Sequence, residues 1–181
     1  MPDSLGQARW MSVNNVMTKD VLCIPAEEDV KDAWVILMEA DVSGAPVVDS
    51  TGGLVGVLST TDIFRAIMDR VRKARVLHES TSQEQDPAAA EREAQREFSL
   101  AVRAVTDSKV SLILPKDQKI VSLSPEDSLE RALHLIAEHG VNRLPVLKGN
   151  RVVGIITRQD IIWQIAGRPP PQGHPTQSTV S

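Results

Sequence analysis

The stretch GVLSTTDIF at Gly56–Phe64 returns, at an offset of 98 residues, as GIITRQDII at Gly154–Ile162. Each stretch begins with apolar residues typical of a buried strand and passes through a polar turn into a helical pattern. A hydroxyl and a carboxylate lie three residues apart at both corners: Ser59 with Asp62, and Thr157 with Asp160. The repetition predicts two copies of one strand–turn–helix unit.

The match extends upstream of these corners. At an offset of 99 residues, Val21–Val48 superimposes on Ile120–Leu147 without a gap. Asp29 and Ser128 are predicted N-caps of a helix in each copy, and Gly140 is the predicted end of the second helix. Apolar residues at i, i+3, i+4, i+7 and i+8 predict that both helices are amphipathic. These residues are Val30, Ala33, Trp34, Leu37 and Met38 in the first copy, and Leu129, Ala132, Leu133, Ile136 and Ala137 in the second.

Short apolar runs follow each helix and predict β-hairpins. They are Ala45–Val48 with Leu54–Leu58 in the first copy, and Leu144–Leu147 with Val152–Ile156 in the second. Because a unit of about fifty residues is too small for a convincing core of its own, we expect the copies to pack together. The predicted fold class is therefore mixed α/β: two β-α-β-β-α repeats packed sheet to sheet about a pseudo-twofold axis, with a cleft at their joint.

These features resemble a tandem pair of CBS domains, also called a Bateman module. The shared set is a leading strand, a capped helix, a hairpin with a small residue before Pro-Val, and the repeated corner. Together they cover about Val13–Met68 and Val105–Ala166. The resemblance implies a freestanding regulatory module that carries out no chemistry and requires no cofactor. It also implies binding of an adenine nucleotide (AMP, ADP or ATP) or a related adenosyl ligand between the repeats, as in energy sensing, and a flat homodimer.

Two interpretations of the corner stay open at this point. A hydroxyl followed three residues later by a carboxylate has the spacing of a capping box, which needs no ligand. The same helix start offers free amides and the positive end of the helix dipole to a phosphate, and a carboxylate there can accept two hydrogen bonds from a ribose. The family resemblance assigns the hydroxyl to phosphate and the aspartate to ribose.

The second copy carries the favoured nucleotide site, because Arg143 and Arg158 flank its corner and guanidinium groups bind phosphate oxygens in a bidentate way. Members of the family often have a phosphate-binding arginine at the position of Arg143. The predicted residues of this site are Asp160, Thr157, Arg158, Arg143, Asn142, Val141, Leu144 and Pro145. The three apolar members are expected to hold the base.

The first copy carries the second predicted site, with Gly44 and Thr60 in the positions of the two arginines. Its residues are Asp62, Ser59, Thr60, Val42, Gly44, Ala45, Pro46 and Thr18. The leading segments differ: VMTKD in the first copy includes Met17 and Thr18, whereas ILPKD in the second has Pro115 and Lys116. In the family, the backbone of this leading segment usually contacts the ligand, and the changed residues count against that contact in the second copy. Lys116 and Lys119 are candidates for a further phosphate contact.

The predicted boundaries are a loose N-terminus at 1–12, repeat 1 at 13–71, a helical and acidic insertion at 72–104, repeat 2 at 105–167 and a disordered, proline-rich tail at 168–181. Asp86 and Pro87 predict the start of a helix in the insertion. Phe98, Ala101, Val102 and Val105 lie on one face of that helix. The helix either packs on its own domain or reaches a second subunit or an effector protein.

Composition narrows the function classes. A net charge of −4 with two Phe, three Trp and no Tyr disfavours nucleic-acid binding, and the longest apolar runs are too short to span a membrane. Met1 to Trp10 lacks a signal-peptide pattern, so a cytoplasmic location is expected. The four histidines are scattered and predict no metal site, and Cys23 is expected to be a small buried hydrophobe.

An enzyme is not expected, since the sequence shows no nucleophile with its base and no metal cluster. Two alternatives to a nucleotide sensor stay open. One is a ligand-free scaffold or dimerisation module whose corners serve only as caps. The other is a Mg²⁺-responsive module that uses carboxylates of the first copy, namely Asp41, Asp49 and Asp62.

Overall fold

The computed structural model describes residues 11–79, 87–116 and 118–167. The predicted tail, most of the predicted loose N-terminus and the predicted cap Asp86 lie outside the described residues. A helix, two strands and a closing helix follow one another twice along the chain. The mixed α/β class, with two repeats packed together, is confirmed.

Repeat 1 contains β1 (Ile24–Pro25), α1 (Val30–Glu39), β2 (Gly44–Val48), β3 (Leu54–Ser59) and α2 (Thr60–Glu79). The connection contains α3 (Pro87–Thr106) and α4 (Val110–Ile113). Repeat 2 contains α5 (Leu129–His139), β4 (Arg143–Lys148), β5 (Arg151–Thr157) and α6 (Arg158–Ile165). The hairpin strands are one or two residues longer than the apolar runs that predicted them, because the polar residues at their ends also join the ladder.

The two hairpins have the same register. β2 and β3 are antiparallel, as are β4 and β5, and a register shift follows Val47 in β2 and Val146 in β4. In repeat 1, β1 lies parallel to β2 and places Ile24 opposite Val47. The leading strand predicted for repeat 2 is reduced, within the described residues, to one parallel bridge between Leu123 and Val146.

Each repeat completes its core with a segment from the other half of the chain. Val13 and Met17, at the start of repeat 1, pack into the core of repeat 2. Val105 and Val110, at the start of repeat 2, pack into the core of repeat 1. Burying one such side chain stabilises a protein by about 1.5–3 kcal/mol, so each leading segment stabilises the opposite repeat. The repeats are thus joined by an exchange of segments that the sequence did not predict.

Two glycines allow these segments to lie close to the sheets. A Cβ added to Gly56 would lie 2.8 Å from Leu114 Cδ1, and one added to Gly154 would lie 2.9 Å from Met17 Cγ. Both separations are well below the optimal distance between carbon atoms. A side chain at either glycine would therefore force Leu114 or Met17 to shift from its place in the joint.

The predicted N-cap positions are confirmed in both repeats, but only Ser128 in repeat 2 makes a side-chain cap bond. Ser128 Oγ accepts a hydrogen bond from the Arg131 amide at 3.2 Å, and Gly140 ends α5 with a φ of 63°. Asp29 precedes α1 as predicted but makes no side-chain cap bond. Its carboxylate accepts instead from Lys109 Nζ at 2.9 Å, because the exchanged segment brings that cation to the helix start.

Only part of each predicted apolar stripe is buried. Trp34 is 40% and Met38 is 59% exposed on α1, and Leu133 is 45% exposed on α5. The buried members are Val30, Ala33 and Leu37 in α1, and Leu129, Ala132 and Ile136 in α5. The periodicity located both helices but included side chains that each repeat leaves on its surface.

The predicted insertion forms a helical hairpin. α2 continues the closing helix of repeat 1 to Glu79, and α3 packs beside it. Ala101 and Val105 of α3 are buried, whereas Phe98 is 51% exposed. The last turns of α3 therefore pack on repeat 1. Among the described helices, none combines the length and the apolar character that crossing a bilayer requires.

Candidate functional site

The corner of repeat 2 is a capping box. Asp160 Oδ2 accepts hydrogen bonds from the Thr157 amide and hydroxyl, both at 2.7 Å, and Thr157 Oγ1 accepts from the Asp160 amide at 3.2 Å. Asp160 is 7% exposed, and its side-chain bonds to Thr157 both use the one oxygen Oδ2. The capping interpretation is confirmed here.

The corner of repeat 1 has the same reciprocal bonds. Asp62 Oδ2 accepts from the Ser59 amide at 3.0 Å and from its hydroxyl, and Ser59 Oγ accepts from the Asp62 amide at 3.3 Å. Asp62 Oδ1 forms an ion pair with Arg65 Nη1 at 3.0 Å. Because the Arg65 side chain is 62% exposed, this pair is weak and open to exchange with a ligand.

Arg143 pairs with Thr157 of the repeat 2 corner through its place in β4, but its side chain extends to repeat 1. Its guanidinium crosses the joint and donates from Nη1 to the Gly44 carbonyl and from Nη2 to Ser43 Oγ. Burial lowers the pKa of the guanidinium, and the negative charge of Asp62 opposes that shift. The sequence grouped Arg143 with the Asp160 corner, whereas its guanidinium lies on Ser43 and Gly44 of repeat 1. Positions 44 and 143 are equivalent and meet across the joint, where the glycine leaves room for the arginine.

The other predicted polar residues lie where each closing helix begins. The Arg158 amide donates to the Asn142 carbonyl at 2.9 Å, and in repeat 1 the Thr60 amide donates to the Ser43 carbonyl at 3.0 Å. Arg158 and Asn142 are exposed. The backbone thus holds the loop before β2 or β4 against the helix start, and it leaves the Arg158 side chain beside the Asp160 corner.

The predicted base-holding residues lie on the hairpins. Ala45, Pro46, Leu144 and Pro145 are buried in β2 and β4. Val42 and Val141 are half-buried in the loops that precede those strands. In both repeats the apolar residues adjoin the corner in the fold, since Gly44 pairs with Ser59 and Arg143 pairs with Thr157.

The leading segments contact the hairpins in two different ways. Thr18 exchanges two backbone hydrogen bonds with Ile155 of β5, at 2.9 and 3.0 Å. At the equivalent place in repeat 1, the Val57 amide donates to Gln118 Oε1 at 2.9 Å, and Gln118 Nε2 donates to the Val57 carbonyl at 3.0 Å. Pro115 occupies the position of Thr18 and has no N–H to donate, so a side-chain amide makes both bonds.

Gln118 was missed by the sequence reasoning. The signal that could have found it is the proline itself, which removes a donor from a strand that the repeat otherwise pairs. Lys116 and Lys119 are exposed, and no contact in the described part of the chain ties either of them to a corner.

A cavity of about 430 Å³ opens beside the N-terminal segment, with walls that include Ser12, Asn14, Met17, Lys19, Glu126 and Lys148. None of the candidate site residues lines it. Its charged residues are exposed, so it holds no buried polar anchor of the kind that fixes a ligand's orientation. The cavity therefore adds nothing to the two corners.

Metal-binding groups are sparse in the described residues, where no three His, Cys, Asp or Glu side chains come together. Asp49 Oδ1 accepts from the Thr51 hydroxyl and amide and from the Gly53 amide, and these bonds lower the pKa of the carboxyl. The carboxylate thus serves the hairpin turn. Burial raises the pKa of the half-buried Cys23 thiol, which disfavours a reactive thiolate.

Comparison with known proteins identifies the fold. The family model described as "CBS domain" matches residues 13–69 and 114–167. An uncharacterised protein of Methanocaldococcus jannaschii is 25% identical over 154 residues, which cover 84% of this chain and 89% of that protein. An inosine-5'-monophosphate dehydrogenase of Korarchaeum cryptofilum is 48% identical over 44 residues, which are 24% of this chain and only 9% of the enzyme.

Solved structures show the same architecture. The CBS domain of a CBS domain-containing membrane protein from Sphaerobacter thermophilus has a TM-score of 0.63 at 25% identity and covers 88% of this chain and 90% of that chain. CBSX2 in complex with AMP has a TM-score of 0.61 at 23% identity, with 86% and 96% covered. The CBS domain pair of protein MJ0100 in complex with 5'-methylthioadenosine and S-adenosyl-L-methionine has a TM-score of 0.60 at 18% identity, with 87% and 97% covered.

Proposed function

The chain belongs to the CBS-domain family, and on that premise we propose that it is a non-catalytic sensor of an adenine nucleotide or a related adenosyl ligand. The observation that carries the proposal is the position of the Arg143 guanidinium, from repeat 2, on Ser43 and Gly44 of repeat 1, next to the corner that contains Asp62. A cation from one repeat and a ribose-binding carboxylate from the other then lie on the two sides of one joint. CBS domain pairs with AMP or with adenosyl ligands bound support the ligand class.

In the proposed complex, the Asp62 carboxylate accepts the ribose hydroxyls in place of Arg65. The phosphate lies at the start of α2, near Ser59 and Thr60, and Arg143 turns from the Gly44 carbonyl to a phosphate oxygen. A charge-assisted bond to phosphate is stronger than one to a neutral carbonyl, so this exchange is favourable. Val42, Ala45 and Pro46 hold the base.

The Asp160 corner forms the second proposed site. Asp160 offers Oδ1 to a ribose, and Thr157 and the exposed Arg158 lie at the start of α6 for a phosphate. It lacks the cross-joint guanidinium, since Gly44 occupies the position equivalent to Arg143. We therefore expect the Asp62 site to bind more tightly, which reverses the order that the sequence favoured.

The sensor transmits occupancy through the joint. A ligand that contacts both repeats favours the arrangement of the repeats that binds it better, and an effector protein that contacts the α2–α3 hairpin reads that arrangement. Homodimerisation belongs to the same proposal, because the repeats expose large apolar side chains on α1 and α5. The proposed sensor is cytoplasmic.

One observation favours a second function, a ligand-free scaffold. Both corners complete their capping boxes from their own residues, so neither needs a ligand to satisfy its hydrogen bonds. No such observation favours the magnesium-responsive module, since the Asp49 carboxylate already accepts the hydrogen bonds of its turn.

A thermal-shift panel of AMP, ADP, ATP, S-adenosylmethionine and Mg²⁺ distinguishes these functions. A ligand at about a hundred times its Kd stabilises the folded chain by about 2.7 kcal/mol, which raises Tm by several degrees in a protein of this size. We expect a shift with at least one adenosine-containing ligand, reduced by Asp62→Asn more than by the matched variant Asp160→Asn. An unchanged Tm with every ligand would establish the scaffold instead.

A further inference from the structure

The second half of α2 carries a group of cations with no acidic residue among them. The sequence RVRKARV at Arg70–Val76 has a charge of +4, whereas the whole chain has −4, so the other residues sum to −8. We call Arg70–Val76 the basic segment. Its four cations, Arg70, Arg72, Lys73 and Arg75, are all exposed. The segment therefore presents a concentrated positive charge on a chain that is otherwise acidic.

The basic segment lies beyond the part of α2 that repeat 1 uses for its core. Ile63, Ala66 and Ile67 are the residues of α2 in that core, and they lie within the first eight residues of the helix. In the basic segment, Val71 and Ala74 are half-buried, and α3 packs beside α2. A partner can thus contact the exposed cations without displacing the core of the repeat.

The charges of the basic segment are not balanced by the described part of the chain. The one ion pair found there joins Arg72 to Asp69 at 3.8 Å, and both side chains are more than half exposed. Like charges three residues apart on a helix repel each other. The segment has two such pairs, Arg70 with Lys73 and Arg72 with Arg75. This repulsion favours a partner that supplies negative charge.

The neighbouring helix shows what a solvated surface of this chain looks like. α3 mixes three glutamates with three arginines along its length, so that the two signs alternate. Mixed signs are usual for a helix face that contacts only water. The basic segment lacks this mixing, although it belongs to the same helical hairpin.

Charge complementarity indicates an acidic polypeptide segment as the partner. At about 3.6 residues per turn, the four cations lie around more than half of the helix, and a flat membrane contacts only one side. The exposed apolar residue of the basic segment is Val76 alone, too little for a helix that lies in a bilayer interface. A membrane would also approach the rest of the chain, whose negative charge anionic lipids repel. A short acidic segment can follow the cations around the helix and contact nothing else.

We propose that the basic segment of α2 is the docking surface for an acidic segment of the effector protein. Val76, which is 68% exposed, receives an apolar side chain of that partner. Guanidinium groups bind carboxylates in a bidentate way, so Arg72 and Arg75 add geometric specificity to the charge. The inference names the chemistry of the effector and so rests on the proposed function, but docking itself requires no bound nucleotide.

Fluorescence anisotropy with a defined probe tests the docking. The full chain is titrated into a short fluorescein-labelled oligoglutamate peptide with a central leucine, at an ionic strength of about 0.15 M, where long-range attraction is screened. Arg72→Glu with Arg75→Glu should weaken the complex about tenfold or more. Arg92→Glu with Arg96→Glu, at exposed positions of α3, changes the net charge equally and should weaken it less than about threefold. Equal losses in both double variants would overturn the proposal, because net charge alone would then explain the binding.

Hydrogen exchange and a second probe locate the binding and identify the class of partner. We expect the peptide to slow exchange at residues 70–76 more than in α3, and protection confined to another surface would contradict the proposal. Vesicles of phosphatidylcholine and phosphatidylserine are the second probe. Sedimentation with these vesicles, lost in Arg72→Glu with Arg75→Glu, would overturn the acidic partner in favour of a membrane if the peptide does not bind.

Tm of each variant without ligand checks that the fold is intact, and Arg72→Gln with Arg75→Gln replaces the charge reversal if that variant unfolds. The nucleotide-dependent shift of Tm, measured on the same samples, separates this inference from the proposed function. An intact shift without peptide binding would exclude the docking surface while the sensor stands. Peptide binding at the basic segment without any shift would exclude the sensor while the docking surface stands.

Discussion

The two leading segments use different chemical groups to make equivalent hydrogen bonds to the second strand of a hairpin. On β5, Ile155 pairs with the backbone of Thr18, whereas on β3 Val57 pairs with the side chain of Gln118. A proline in one leading segment is the cause, because it cannot donate the hydrogen bond that the repeat requires. Both repeats therefore keep the two hydrogen bonds to the second hairpin strand, but they use different residues to make them. Two copies of one unit can in this way provide two unequal sites.

The largest effect should follow from truncating a buried side chain in the leading segment that packs into repeat 2. Met17→Ala removes a side chain that is 9% exposed in the core of repeat 2 and should reduce the free energy of unfolding by about 2–5 kcal/mol. Hydrogen exchange should quicken in β4 and β5 before β2 and β3. Leu112→Ala, at a position that is 74% exposed, is the control and should change little. Faster exchange confined to repeat 1 would contradict the exchange of segments.

The next effect concerns the cross-joint arginine. Arg143→Ala removes a charged hydrogen-bonding group from the proposed Asp62 site and should weaken nucleotide binding about 10- to 100-fold. Titration calorimetry measures the free energy of nucleotide binding for the single and double variants and shows which corner Arg143 acts with. We expect Arg143→Ala and Asp62→Asn to be non-additive, and Arg143→Ala and Asp160→Asn to be additive. The opposite pattern would return Arg143 to the Asp160 site.

A smaller effect is expected at the substituted contact. Gln118→Ala leaves the amide and carbonyl of Val57 without their partner and should cost about 1–3 kcal/mol in chemical denaturation. The exposed Gln159→Ala is the matched control. Pro115→Ala in the Gln118→Ala background should recover part of the loss, because it restores an N–H at the position of Thr18. A neutral Gln118→Ala would show that this contact contributes no net stability.

The smallest effect is expected at Asp29 and Ser128, the equivalent residues that precede α1 and α5. The hydrogen bond from Lys109 holds the pKa of the Asp29 carboxyl below its ordinary value of 3.8. A lowered folded pKa contributes stability that is present above the unfolded value and is lost as pH falls through the folded value. Asp29→Asn should therefore flatten the acid limb of a Tm profile below about pH 4, whereas Ser128→Ala should lower Tm equally at all pH values. An unchanged acid limb in Asp29→Asn would contradict this contribution.

Much of the fold was predictable because its signals are local. Periodicity located α1 and α5, the corner motif located two capping boxes, and Gly140 marked a helix end. The exposed Trp34 and Met38 show where such reasoning stops. Periodicity identifies apolar positions on a helix, but it cannot say whether the chain itself or a partner covers them.

The sequence named candidate residues for the site but could not say how they group in space. The repeat pointed to Asp62, Asp160 and Arg143 as groups able to bind a nucleotide, and these residues stay a prediction. An alignment of two copies carries no information about how they face each other, so it could not predict that the Arg143 side chain extends to Ser43 and Gly44 of the other repeat.

By itself the sequence determined that there are two copies of one unit, where each helix begins and which side chains lie at the corners. These properties depend on hydrogen bonds and apolar spacing within a few residues. Only the tertiary structure decided that the leading segments exchange cores, that Gln118 replaces a backbone amide and that Arg143 lies on Ser43 and Gly44 of repeat 1. The hydrogen bonds of Gln118 and Arg143 join residues 61 to 100 positions apart, and their partners are set by how two nearly equivalent surfaces pack at the joint.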